Sequence, residues 1–300
     1  MAFAMALVQD SRSVAQSFHQ RRDTVFAEVH GTGLLMDVFV PRGPSNGLAI
    51  VDVVSGAWYS DRSKVRDHSL AGMYEIHCQR GYTVFAIRPG SRTRYTAAEM
   101  DHHVKLGIRW VKAHAPDHAI DPDRLGLTGA SAGGHLATLA SLTPEDADPA
   151  SKDPLMHHST RVRAVGVFFP PTDFLDWKDG KRGDLKILGP LLFQGGAQGR
   201  SESEITAQAR SVSPLHRVGR TDVPFLLIHG DADPVVPISH SERLRDAIVS
   251  AGGRAELMVK KGGGHPWLTL PVEVAKLADW FDRELAPGPK DTRPAGSQSP

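Results

Sequence analysis

The sequence predicts an α/β fold: a mostly parallel sheet flanked by helices. Three observations carry that prediction. Short, β-rich apolar runs alternate with amphipathic stretches along the chain. The runs are apolar on both faces, as in strands buried from both sides. The stretches between several of them have the period of a helix, which places helices on the sheet's faces.

The elements follow in order. "TVFAEV" and "LLMDVFV" flank "HGTG" and read as a hairpin. "LAIVDVV", "YTVFAI", "RLGLTG", "RAVGVFF", "PFLLIHG" and "AELMVK" read as further strands. Met100, Val104, Ile108 and Val111 recur at helical spacing, as do Leu270, Val274, Leu277, Phe281 and Leu285. From Pro170 to about Val223 no sheet strand is apparent; glycines abound, and a helical patch lies near Ser201 to Arg210. A connection of that length in a compact domain reads as a lid-like insertion, about 171–215, after the sixth strand. The plainer alternative is a surface insertion with its own small core. Residues 1–20 are expected to form an N-terminal extension, 21–286 the folded domain, and the Pro/Gly/Ser-rich 287–300 a disordered tail.

Bulk properties narrow the function classes. The 300 residues are 40% hydrophobic and 23% charged, an ordinary globular balance. Net charge is +1 with no basic block, which gives no support to a nucleic-acid or anionic-membrane partner. No apolar run approaches the ~20 residues of a membrane span, so no membrane insertion is expected. Cys78 stands alone, so no internal disulfide forms. The start, "MAFAMALVQD", lacks the basic region of a signal peptide. A cytoplasmic location is expected, or a secreted or periplasmic one if a leader was removed. Oligomeric state is not legible.

The strongest signal is "RLGLTGASAGGHLATLA". Strand residues run into Gly129-Ala130-Ser131-Ala132-Gly133 and then a helix, which is G-x-S-x-G in the strand–turn–helix context it requires. So tight a turn leaves no room for side chains two residues either side of the serine. Ser131 then projects from the strand tip near a helix N-terminus, where negative charge is favoured. A serine hydroxyl needs a general base, and the base an orienting acid. In folds that present a serine this way, the acid and then the histidine follow in chain order. For the acid, Asp231 and Asp233 both lie after "PFLLI"; Asp233 is preferred, and Asp231 is expected to brace the turn. For the base, His265 follows three glycines after the last strand. His102, His103, His157 and His158 are expected at the surface, His229 to support the acid loop, and His135 to pack or hydrogen-bond. No H-E-x-x-H occurs, and one cysteine removes the zinc–cysteine patterns, so no metal is expected.

A second stretch, "VVSGAWYSD", ends a buried strand in Gly56 and then offers Trp58 and Tyr59. Either the two rings pack under a loop or they form the lip of a site.

Together these residues resemble the α/β-hydrolase superfamily across about residues 24–286. The likeness is to carboxylesterases of the hormone-sensitive-lipase-like kind and to the bacterial branch with feruloyl and acetylxylan esterases. "DPDRLGLTGASAGGHLA", "FFPPTDFLDW" and "HGDADPVVP" carry it, and the last also resembles the acid loop of prolyl-oligopeptidase-type enzymes. The resemblance implies an eight-stranded sheet, no cofactor, and hydrolysis of a small-molecule ester or amide through an acyl-enzyme. Ser131, Asp233 and His265 take the catalytic roles by match to its motifs. Where relatives carry H-G-G-G-W, this chain has Val54-Ser55-Gly56-Ala57-Trp58. The backbone N–H groups of Gly56, Ala57 and Ala132 are then the expected oxyanion donors, with Ser55 the candidate brace in place of the family's histidine. Trp58, Tyr59, Phe193 and Trp267 are candidates for the substrate pocket. Ester hydrolysis is the leading reading. The alternatives are an arylformamidase, a prolyl-oligopeptidase-like peptidase and, from another class, a non-catalytic module that binds a small ligand.

Overall fold

A computed structural model describes residues 16–286. Eight strands form one sheet: β1 Phe18–Val29, β2 Thr32–Pro41, β3 Ala49–Val53, β4 Thr83–Arg88, β5 Leu125–Ala130, β6 Ala164–Phe168, β7 Phe225–Gly230 and β8 Ala255–Lys260. Their order across the sheet is β1-β2-β4-β3-β5-β6-β7-β8. β1 pairs antiparallel with β2, and β2 with β4; every later pairing is parallel. The two-residue turn between β1 and β2, His30 and Gly31, has positive φ at both positions, the mirror-image turn that matches strand twist.

β1 starts at Phe18, so residues 18–20, expected in the N-terminal extension, belong to the sheet. The polar string "HQRRD" hid it. An edge strand exposes such side chains, while Phe18 itself is buried edge-on against Phe39. Residues 1–15 and the expected tail at 287–300 lie outside the described residues.

Among the described residues eight α-helices flank the sheet or lie in the connection after β6: α1 Arg62–Leu70, α2 Met73–Gln79, α3 Ala97–Ala113, α4 Ala132–Leu142, α5 Leu185–Leu192, α6 Glu202–Ser211, α7 Ser239–Ser250 and α8 Leu270–Glu284. α3 starts where Thr96 and Glu99 cap each other reciprocally, and α6 where Ser201 and Glu204 do the same. The stripe Met100, Val104, Ile108 and Val111 is fully buried. Each such side chain contributes roughly 1.5–3 kcal/mol over its exposed state. Val51 and Val53 of β3 face the α3, α4 and α7 side, whereas Ile50 and Val54 face α1, α2 and α8.

The connection after β6 carries α5 and α6. Leu188, Leu191, Ile205 and Ala209 join the core on the α3 side, so the insertion has no separate core. His103 lies on α3. Expected at the surface, it is instead buried, with a ring nitrogen 2.6 Å from the Pro89 carbonyl and its ring edge-on to Tyr95. The loop between β4 and α3, which carries Pro89 and Tyr95, folds over the ring.

Parallel pairing aligns the strand ends. Val53 is level with Gly129, Ala130 with Phe168, and Phe168 with Ile228. The loops after β3, β5, β6 and β7 therefore open at one edge of the sheet, where open α/β sheets hold their ligands.

Candidate active site

Ser131 stands between β5 and α4 at φ 52°, ψ −119°. This is left-handed backbone for a residue with a Cβ, held by its surroundings. Its N–H donates to the Phe168 carbonyl (2.9 Å) and its carbonyl accepts from His135 N–H (2.9 Å). The flanking glycines are forced by space. A Cβ on Gly129 would lie 2.6 Å from the Gly133 carbonyl carbon, and one on Gly133 only 2.1 Å from the Val53 oxygen.

Asp233 and His265 come from the loops after β7 and β8. His265 Nδ1 lies 2.6 Å from Asp233 Oδ2, and its Nε2 lies 2.9 Å from Ser131 Oγ. The ionised carboxylate can only accept, so Nδ1 carries the proton and Nε2 is left to accept from the serine hydroxyl. Asp233 Oδ1 accepts from the N–H groups of Val235 and Val236. Burial would raise the Asp233 pKa. The hydrogen bonds from His229 and His265, with the Val236 N–H, outweigh burial and hold it well below the ordinary carboxylate range. His229 is buried; its Nε2 donates to the Val236 carbonyl (2.9 Å) and its Nδ1 meets Ser241 Oγ (2.7 Å), which fastens the acid loop to α7. Asp231 is exposed and accepts from Gly262 N–H at 2.6 Å, tying the two loops together away from His265.

The stretch after β3 is a tight hairpin, with Gly56 and Tyr59 exchanging both backbone bonds at 2.9 Å. Gly56 N–H is therefore spent on Tyr59, contrary to its expected role as an oxyanion donor. Ala57, at the exposed tip with φ 48°, and Ala132, in the first turn of α4, have N–H groups with no protein acceptor among the described residues. Nor does the Ser55 side chain brace the loop, because its buried hydroxyl has no partner. Backbone does that work: Gly133 N–H donates to the Ser55 carbonyl (3.0 Å) and Arg92 N–H to the Trp58 carbonyl (2.8 Å). The Trp58 indole N–H adds a bond to His135 Nδ1 (3.1 Å), while His135 Nε2 donates to the Val212 carbonyl (2.8 Å). Burial pushes the His135 pKa down to about 4, so the ring stays neutral and can accept from Trp58. One buried imidazole thus joins the loop, α4 and the end of α6.

A cavity of about 660 Å³ opens above Ser131 and His265. Trp58 and Tyr59 line it, Trp58 as a buried core ring and Tyr59 half-buried under Arg92. The other two aromatic candidates stand away from it. Phe193 packs on the core beneath Arg200, and Trp267 packs on Phe169 with its N–H on Glu273. Phe169, Trp177, Ile187 and Val235 supply the apolar wall instead. Phe169 and Trp177 belong to "FFPPTDFLDW", but only the return of that segment over the sheet edge shows which rings face inward. Among the described residues no group of three side chains could hold a metal ion. Nor is any helix among them long and apolar enough to cross a membrane.

A serine elbow at the carboxyl edge of an eight-stranded, mostly parallel sheet defines an α/β-hydrolase. A family model described as BD-FAE matches residues 36–248, and the chain belongs to that family. Among curated proteins it is similar to a probable carboxylic ester hydrolase, LipM, of Mycobacterium tuberculosis: 28% identity over 200 residues, 66% of this chain and 44% of the relative. Esterase LipQ of the same organism is 28% identical over 226 residues, 75% of this chain and 51% of the relative. The chain spans about half the length of these curated relatives. A truncated carbohydrate esterase from gut microbiota has the same fold, with a TM-score of 0.76 at 23% identity over 90% of this chain and 98% of that one.

Proposed function

We propose that the chain is a serine-dependent carboxylic ester hydrolase acting through an acyl-enzyme. One observation carries the reading: the unbroken hydrogen-bond line Asp233–His265–Ser131, ending on a serine held in strained backbone. The names of the curated relatives support the same reaction class.

In this mechanism His265 Nε2 takes the Ser131 proton as Oγ attacks the ester carbonyl. Asp233 holds the imidazole in the required tautomer and stabilises its charged form. The oxyanion forms beside the free N–H groups of Ala57 and Ala132, each worth about 2.7–4 kcal/mol in such sites. His265 then gives the proton to the leaving alcohol. Water, with the same imidazole as base, resolves the acyl-enzyme. The apolar wall of Phe169, Trp177, Ile187 and Val235 favours an apolar group on one side of the scissile bond. Stopped-flow hydrolysis of p-nitrophenyl butyrate tests the reading. A burst of nitrophenol matching the enzyme concentration is expected, followed by slower turnover. Full activity in Ser131→Ala would sink it.

A further inference from the structure

A second Asp–His pair borders the same cavity. Asp52 lies within β3, fully buried among apolar strand residues, on the face covered by α1, α2 and α8. Its Oδ2 is 2.7 Å from Nδ1 of His68 on α1, and its Oδ1 has no partner. The Tyr74 hydroxyl lies beside it, with its pKa raised by burial and then by the Asp52 charge. A buried carboxylate is costly unless it is paired and hydrogen-bonded, and here one imidazole bears most of that task.

His68 is not sealed in. It lines the cavity, and its Nε2 has no protein partner among the described residues. Lys64, one turn earlier, also lines the cavity but is paired with Asp67 at 3.1 Å. The cavity lining thus takes Trp177, Ile187 and Val235 from the segments after β6 and β7 and, from α1, the His68 ring with its open nitrogen, next to Met73 of α2 and Leu270 and Val274 of α8. Burial opposes the charged ring, but Asp52 outweighs it by charge and hydrogen bond, so the His68 pKa lies above its ordinary value. In both protonation states Nδ1–H points at Asp52. Nε2 then accepts when the ring is neutral and donates when it is charged. A hydroxyl, which both donates and accepts, pairs with either state.

The geometry points to His68 as a substrate-binding residue that takes a hydroxyl on the portion of the ester lying along α1, with Asp52 as its positioning residue. This rests on the ester-hydrolase reading and refines it: preferred substrates carry a hydroxyl on the portion of the ester that lies along α1.

The test uses isosteric pairs that exchange hydroxyl for methyl. These are 2-hydroxyethyl butyrate against propyl butyrate, and ethyl 3-hydroxybutyrate against ethyl 3-methylbutyrate. For one pair, the hydroxyl-to-methyl ratio of kcat/KM is expected to fall about tenfold in His68→Leu, the size of one hydrogen bond. His68→Gln should restore part of it. If both members of both pairs fall together, His68 only holds α1 in place and the proposal is overturned. Should His68→Leu fail to fold, the His68 ring resonances in Ser131→Ala give the answer. They should shift with the hydroxylated ester and not with its isostere; equal shifts, or none, count against it. Turnover surviving in Ser131→Ala is a separate result, and it would strike the nucleophile rather than His68.

Discussion

The Asp233–His265 and Asp52–His68 pairs are nearly superimposable in their local description. Each has a fully buried carboxylate, an imidazole whose side chain is 11% exposed, and a short Nδ1 contact of 2.6 or 2.7 Å. What differs is the remainder of each shell. Asp233 sits on a loop, and both its oxygens are satisfied, by the Val235 and Val236 N–H groups and by histidines. Asp52 sits in a strand whose own N–H groups are committed to the sheet, so its second oxygen goes unpartnered. At the far nitrogen, His265 meets a serine and His68 meets the cavity. An Asp–His pair is thus a module whose chemistry is decided by the group placed against Nε2.

The largest expected effect separates the two pairs at that third group. Ser131→Ala should lower kcat by about 10⁶-fold, the scale of losing a serine nucleophile. The next compares the carboxylates. Asp233→Asn should cost about 10⁴-fold through the wrong imidazole tautomer, while Asp52→Asn and Asp231→Asn each cost far less. Steady-state rates on p-nitrophenyl butyrate decide this, and a loss of equal size at Asp52 or Asp231 would erase the distinction drawn between the pairs.

Gly133→Ala tests how tightly the first pair's serine is held. Its new Cβ must displace the Val53 carbonyl, so a loss of about 1–3 kcal/mol in denaturant unfolding is expected, with reduced activity. Measured stability within error of the parent would show that the elbow has slack.

Acid sensitivity contrasts the imidazoles further. His135 and His240 are pushed down to about 4 by burial. Below about pH 6.5 the unfolded chain binds protons that these folded rings refuse. Stability should therefore be full above pH 6.5 and decline towards pH 4, by at most about 3 kcal/mol per ring. His68, whose pKa is raised, acts in the opposite direction. Thermal midpoints between pH 7.5 and 4.5, taken as the difference between the parent and His135→Gln, isolate that ring, and a difference that does not change with pH would contradict the neutral-ring assignment. A loss of the same size as at Gly133 is expected from Trp58→Phe, which removes the indole donor to His135 and leaves its buried Nδ1 unpaired. About 1–3 kcal/mol of stability should be lost, and the loop carrying Ala57 loosened.

Much of this was legible in the amino-acid order because it depends on near neighbours. The eight apolar runs became the eight strands, and the stripes on α3 and α8 were visible as periods. The glycines around Ser131 carried a steric message that needs no distant partner. α1 leaves no period in the sequence, since "RSKVRDHSL" offers one deeply buried aliphatic residue, Val65, and no stripe. Nor does His68 stand out, one histidine among 15. Gly56 departs from its expected role for a related reason. Its glycine marked a turn correctly, but whether its N–H faced a ligand or Tyr59 depended on how the hairpin closed.

By itself, then, the chain's order determined the layered sheet, the serine elbow and which loops would follow which strands, because local sterics and burial period dictate them. Tertiary structure alone decided how closely Asp233, His265 and Ser131 meet, which of the candidate rings line the cavity and which histidine of α1 opens onto it. Those are contacts between residues dozens to more than a hundred positions apart, such as Ser131 with His265. They are set by the alignment of parallel strand ends, and no local pattern encodes that alignment.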